Sequence, residues 1–288
     1  MNWSGRREKF RSLLETDKCY YPASVFDPMS ARIAEDLGFE VGMLAGSVAS
    51  LTVLGAPDLI LLTLSEFSQQ VYRINRACDL PVLVDADHGY GNALNVKRTV
   101  EELESAGVAA LTIEDTDLPQ PYATLGSSRL LSLDEGIGKM KAALAGRSDP
   151  NLVVTARTSA MALHGLDETI KRVEAYAALG VDALFLVGIE TKEQLDAITQ
   201  CVDLPLILGS SPDALKDPEF LARQRVRICN LGHQPIMAAV QAVYTTMEAL
   251  REGQLPGTLS GVASKSLMQK VTRDNDYQQW MSEFLGGG

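Results

Sequence analysis

Short apolar runs alternate with amphipathic stretches along the whole chain. The runs cover residues 23–26, 41–45, 82–84, 110–113, 152–156, 183–187, 205–208 and 226–229. They are apolar almost throughout, as expected of strands covered on both faces. The stretches between them, such as 65–78, 92–106, 133–145, 167–179 and 235–251, read as helices. Several end in stop pairs: Leu37-Gly38, Ala106-Gly107 and Leu179-Gly180. This alternation predicts a parallel sheet, because parallel neighbours need a crossover and the crossover is usually a helix. Eight such units in 288 residues predict a closed α/β barrel of the (β/α)8 TIM type in one domain, rather than an open doubly wound sheet. The first strand is not followed by Gly-x-Gly-x-x-Gly, which argues against dinucleotide binding. The barrel is expected over residues 1–255. Residues 256–288, with Trp280 and Phe284, are expected to form a helical extension that covers a surface on this subunit or on a neighbour.

Composition narrows the function. With 46% hydrophobic and 22% charged residues the chain can bury a large core. A net charge of −11 argues against nucleic acid or an anionic membrane as partner, but leaves room for a small anionic substrate beside a local cation. Residues 1–11 are polar and lack the apolar segment of a signal peptide. No window approaches the roughly 18 apolar residues that a membrane helix needs. Cys19, Cys78, Cys201 and Cys229 are scattered without metal-type spacing, which points to reduced thiols in a cytoplasmic protein.

A barrel gathers its chemistry where strands end, at the carboxyl face. The predicted strand ends carry Asp27, Gly46-Ser47, Asp85 and Asp87, Glu114-Asp115, Arg157, Gly188 and His233. Asp85 and Asp87 stand at i and i+2, so on a strand both point to one side and repel unless a cation joins them. Such an oxygen-only set suits Mg2+ or Mn2+, and Gly89-Tyr90-Gly91 lets the backbone approach a ligand. A pair of solvated, helix-capping acids is the plain alternative. Arg157 can grip a carboxylate through two hydrogen bonds, or pair with Glu114 or Asp115, or both. Gly46-Ser47 suits a carboxylate, or is only a turn. His233 can donate to a substrate oxygen, although a lone histidine there also reads as a packed or capping residue. His88 and His164 receive no catalytic role. Residues 116–131, with Pro119, Pro121 and Gly126, exceed the usual connection of about 2–6 residues and read as a lid or as a surface insertion.

At Asp85-Ala86-Asp87-His88-Gly89-Tyr90-Gly91 the chain resembles the isocitrate lyase/phosphoenolpyruvate mutase superfamily. The similarity extends through residues 24–32, Gly46-Ser47-Val48-Ala49-Ser50, Asn92-Ala93-Leu94-Asn95-Val96, Thr112-Ile113-Glu114-Asp115, Ala156-Arg157-Thr158 and Leu231-Gly232-His233. Within it the chain is most similar to the oxaloacetate decarboxylase family. The resemblance implies an Mg2+-dependent barrel, a homotetramer built as a dimer of dimers, and exchange between subunits of the helix after the eighth strand. It implies that Asp85 ligates the metal, while Asp58, Asp87 and Glu114 hold metal-bound waters. Ser47, Arg157 and His233 would bind an α-keto dicarboxylate, and Asp85, Arg157 and His233 would carry its decarboxylation to pyruvate and CO2 through a metal-stabilised enolate. Some positions depart from relatives. Residues 116–129 hold neither Cys nor His, so the acid that superfamily lyases use on isocitrate is lacking. Ser159 stands where phosphonopyruvate-processing members have Asn or Asp, and residues 208–212 lack an aromatic hydroxyl. Phosphonopyruvate hydrolase or phosphoenolpyruvate mutase chemistry, and non-catalytic binding of a keto acid or oxalate, stay open as alternatives.

Overall fold

The computed structural model describes residues 2–123, 126–210 and 212–286. Among these the chain divides into two compact units, Met1–Gly232 and His233–Gly288. In the first, eight strands form one parallel sheet in sequence order: β1 (Ala23–Ser24), β2 (Gly42–Leu44), β3 (Val82–Asp85), β4 (Ala110–Glu114), β5 (Val153–Thr158), β6 (Ala183–Leu186), β7 (Leu206–Leu208) and β8 (Val226–Cys229). An isolated parallel bridge joins Tyr20, just ahead of β1, to Ile228 of β8: Tyr20 N donates to Arg227 O at 2.8 Å, and Cys229 N to Tyr20 O at 2.9 Å. The sheet thus curls onto itself as a TIM-barrel-like fold. All eight strands are short and almost wholly buried, which is why they lack the in–out alternation of a half-exposed sheet.

The helices between strands start where the sequence caps them. Capping boxes pair Thr63 with Glu66, Asn92 with Asn95, Ser132 with Glu135 and Thr191 with Gln194. Asp27 belongs to this group. Its carboxylate accepts from Ser30 N at 2.7 Å and caps the Pro28–Asp36 helix, so a strand-end acid read as candidate chemistry is a structural cap.

The Trp3–Leu14 helix closes the amino end of the barrel. Its Phe10, Leu13 and Leu14 join Val41, Met43, Leu83, Ala109, Val153, Phe185, Ile207 and Ile228 in one buried cluster. Burying each such side chain is worth about 1.5–3 kcal/mol. Arg7 ties the helix down, donating from Nε to Val108 O at 3.0 Å and from Nη1 to Asp149 at 2.8 Å. With the amino end plugged, the carboxyl ends of the strands are left for chemistry.

The second unit contains the Gln234–Arg251, Lys265–Thr272 and Asp274–Leu285 helices. On Gln234–Arg251 only Ile236 is buried, whereas Met237, Val240, Tyr244 and Met247 form an exposed apolar stripe at helical spacing. Among the described residues no helix is long and apolar enough to cross a membrane, and no disulfide joins the cysteines.

Candidate active site

Strand register assembles the centre of the site. Asp85 ends β3 opposite Thr112 of β4, and Glu114 ends β4 opposite Arg157 of β5. The Arg157 guanidinium donates from Nη1 to Asp85 Oδ2, and its Nε lies 3.4 Å from Glu114 Oε2. It is therefore the cation that joins these acids. Thr112 Oγ1 donates to Asp85 Oδ1 at 2.8 Å, and Thr116 Oγ1 to Glu114 Oε2 at 2.9 Å. No partner among the described residues engages Arg157 Nη2. Behind the guanidinium the Phe185 ring stacks at 5.4 Å.

Asp87 reaches this cluster by a route that strand alternation did not anticipate. The strand stops at Asp85, and Asp87 sits beyond it with a left-handed φ of 47°. The chain turns there, so the i and i+2 rule no longer applies. Asp87 N donates to Asp85 Oδ1 at 3.2 Å, and the carboxyl of Asp87 lies against Gly46. A Cβ on Gly46 would stand 2.3 Å from Asp87 Oδ2, so only glycine admits this carboxyl. Ser47 follows in the short Gly46–Ala49 helix, half-buried.

The cluster is short of positive charge. Burial first, then Asp85 and Glu114, push the Asp87 carboxyl well above the usual carboxylate range, with Arg157 opposing. Burial also raises Glu114, again against Arg157. Asp58, on an exposed loop, is raised by desolvation and by the nearby Asp85. Burial disfavours the charge on Arg157, but Asp85, Glu114 and Asp87 outweigh it and hold the guanidinium charged. Among the described residues the buried Tyr90 hydroxyl has no hydrogen-bond partner, and burial with Asp87 and Asp85 raises it above its ordinary range.

These groups fit a hard divalent cation. The acids offer oxygen donors only, they crowd one another, and a further positive charge would relieve the carboxylates whose charge burial and mutual repulsion disfavour. Among the described residues no three His, Cys, Asp or Glu side chains form a ready-made ligand set. Mg2+ takes one or two protein carboxylates and keeps several waters.

The remaining candidates lie elsewhere. Asp115 is fully buried and accepts from Arg172 Nη1 at 2.8 Å, Tyr176 Oη at 2.6 Å and Thr158 Oγ1 at 3.0 Å, so it serves packing rather than Arg157. The lid expected at 116–131 includes residues 124 and 125, which lie outside the described residues, as does Ser211. The neck of that loop is a short antiparallel ladder: Asp117 N donates to Arg129 O at 2.9 Å, and Leu131 N to Asp115 O at 2.8 Å. Ser159 precedes the Ala160–His164 helix without capping it. His233 heads the Gln234–Arg251 helix, in the second unit. Sequence reading missed Tyr90, Thr112 and Thr116. Thr112 lies in β4, Thr116 two residues beyond its end and Tyr90 in the turn after β3, but nothing in their residue type announces a role.

A carboxylate–guanidinium centre at the carboxyl end of a curled, parallel eight-stranded sheet defines the class: a TIM-barrel-like protein with its polar cluster at the end where such folds carry their chemistry. Residues 10–251 match the family described as Phosphoenolpyruvate phosphomutase, and the chain belongs to that family, within the PEP mutase/isocitrate lyase superfamily. It is 55% identical over 286 residues to an oxaloacetate decarboxylase of Bradyrhizobium diazoefficiens, covering 99% of each chain. It is 54% identical to an oxaloacetate decarboxylase of Rhodopseudomonas palustris, again over 99% of both. Among solved structures it is similar to oxaloacetate acetylhydrolase in complex with 3,3-difluorooxalacetate, with a TM-score of 0.84, 28% identity, and 99% and 98% of the two chains covered. It is also similar to phosphonopyruvate hydrolase in complex with oxalate and Mg2+, with a TM-score of 0.85, 26% identity, and 97% and 99% covered.

Proposed function

We propose that this chain is an oxaloacetate decarboxylase that releases pyruvate and CO2 with the help of Mg2+, or Mn2+ in its place. One arrangement carries the reading: Arg157 held between Asp85 and Glu114, with Nη2 unengaged, in a cluster still short of positive charge. Full-length relatives at 55% and 54% identity, named oxaloacetate decarboxylase, support it.

In this reading Asp85 holds the ion, and Asp58, Asp87 and Glu114 orient its waters. The bound ion supplies positive charge beside the substrate ketone, where negative charge develops as the carbon–carbon bond breaks. Arg157, whose Nη1 is occupied by Asp85, offers Nη2 to a substrate carboxylate. Ser47 donates its hydroxyl to the same dianion, and His233 donates to a substrate oxygen. The electron pair of the C3–C4 bond moves toward the C2 carbonyl as CO2 leaves, and C3 then takes a proton to give pyruvate. Each factor of ten in rate requires about 1.4 kcal/mol of stabilisation specific to that charge distribution.

The test is pyruvate release from oxaloacetate at fixed Mg2+, with and without EDTA. Free Mg2+ decarboxylates oxaloacetate by itself, so Asp85→Ala at the same Mg2+ serves as the blank. Asp85→Ala is expected to lose more than the ~10–100-fold that outer partners of a metal site cost. Turnover that survives EDTA, or matches the blank, refutes the reading. The likeness to phosphonopyruvate hydrolase favours a second reading, cleavage of a carbon–phosphorus bond, and phosphate release from phosphonopyruvate with no pyruvate from oxaloacetate would select it. Oxalate binding with no turnover of either substrate would leave a binding protein.

The same reading includes a cytoplasmic homotetramer, a dimer of dimers that exchanges the helix after β8. The exposed apolar stripe on Gln234–Arg251 supports it.

A further inference from the structure

The turn that carries Asp87 is held in an unusual backbone state. Asp87, Gly89, Tyr90 and Gly91 have φ values of 47°, 76°, 61° and 147°, and two of these residues are not glycine. Such a path persists only where its surroundings impose it. The carbonyls of this turn are claimed one by one, from different directions. Gly89 N donates to Ala86 O at 2.9 Å within the turn, and Glu114 N donates to Asp87 O at 2.9 Å from β4. Thr99 Oγ1, on the Ala93–Ser105 helix, donates to Gly89 O at 3.0 Å. The His88 carbonyl is claimed by Lys139 Nζ, at 2.6 Å, from the Leu133–Gly146 helix.

Lys139 is the charged donor of the set, and it is 5% exposed. A buried ammonium costs free energy unless its surroundings use the charge. Burial pulls the Lys139 ammonium below its ordinary value, and Glu114, Asp115, Asp117 and Glu135 oppose that pull and favour its charge. One side chain therefore ties down the carbonyl between Asp87 and Gly89 and offsets part of the negative charge behind the acid cluster.

We propose that Lys139 is a positioning residue for the divalent-cation site. It acts through the His88 carbonyl to fix the turn that aims Asp87 beside Asp85. The proposal rests on the reading of this cluster as a metal site, and its test separates the two.

The experiment titrates Mn2+ into metal-free protein, following free Mn2+ by electron paramagnetic resonance, for the unaltered chain, Lys139→Met, Lys139→Gln and Thr99→Val. Oxaloacetate turnover at saturating metal is measured alongside. Lys139→Met removes both donor and charge, and is expected to weaken Mn2+ binding and lower kcat by about 10–100-fold. KM at saturating metal should stay nearly constant. Lys139→Gln keeps a neutral donor and should fall between. Thr99→Val removes an uncharged donor from the same turn and should cost less than Lys139→Met. Unchanged Mn2+ affinity in folded Lys139→Met, or an equal loss in Thr99→Val, overturns the role of Lys139 and leaves the metal site standing. If Lys139→Met does not fold, the ordering of Lys139→Gln against Thr99→Val decides. Failure of the unaltered chain to bind Mn2+ overturns both readings.

Discussion

Gly46 shows how tightly the acids are placed. An alanine there would set its Cβ 2.3 Å from Asp87 Oδ2 and 2.7 Å from the carboxyl carbon, so the carboxyl must move or the backbone must give. A displacement near 1 Å at a reacting centre can cost about 100-fold in rate. Gly46→Ala is therefore expected to lower oxaloacetate turnover by about that factor while the melting temperature barely changes. Equal kcat in the two proteins would show that Asp87 tolerates the shift. At this scale the sequence was partly legible. Asp85, Arg157 and Glu114 could be read because strand ends collect chemistry in a barrel, and the register of β3, β4 and β5 brings them together. Asp27 stood at a strand end too, yet serves as a cap, because its Ser30 partner lies on the following helix and competes for the same carboxylate. Asp87 was picked for a strand geometry it does not have. Lys139 and Tyr90 were illegible, since a lysine on a helix reads as solvated and its carbonyl partner lies 51 positions away.

The Trp3–Leu14 helix has no strand to follow, and its attachment is read through its ion pairs. Asp149 accepts from Ser4 Oγ at 2.6 Å, Arg7 Nη1 at 2.8 Å and its neighbour Asn151 N at 2.9 Å. Burial works against the Asp149 charge, but the hydrogen bonds from Ser4, Arg7 and Asn151 prevail and bring its carboxyl down to about 2 from an ordinary 3.8. A depressed carboxyl adds stability that is complete above the unfolded value and fades as the pH falls through the folded one. Asp149→Asn is expected to lose about 1–2 kcal/mol at pH 7, after allowance for partial solvent screening. The gap to the unaltered protein should shrink between pH 3.8 and about 2. Urea unfolding at pH 7 and pH 3 measures it, and a gap that does not depend on pH would assign the loss to packing. The elements themselves were the most legible layer. Runs such as 82–84 and 110–113 are too apolar for a surface, and Ser132 with Glu135 announces a helix. The bridge from Tyr20 to Ile228 was not legible residue by residue, because it joins the segment ahead of β1 to β8, about 200 positions on, and no local pattern encodes it.

In the whole molecule the apolar residues left outside are concentrated in a way that calls for a cover. Met237, Tyr244 and Met247 are 63%, 64% and 66% exposed along one helix, and Trp280 and Phe284 are 46% and 74% exposed on another. Single exposed apolar side chains are ordinary, but a stripe of them on consecutive turns marks an interaction surface. At about 25 cal/mol per Å2, covering such a stripe is a substantial drive to associate, set against the cost of ordering two chains. The net charge of −11 opposes association only weakly at physiological salt, where charges separated by more than about 8 Å are screened. Light scattering on the eluting protein is therefore expected to give four times the 31.1 kDa chain mass. Tyr244→Glu together with Met247→Glu places two charges on the stripe and should shift the protein to a smaller species without unfolding the first unit. If the helix after β8 also brings His233 to a substrate, the smaller species should lose turnover together with its size. A 31.1 kDa species in the unaltered protein would mean that the stripe is tolerated in water, and the helix-exchanged tetramer would have no support.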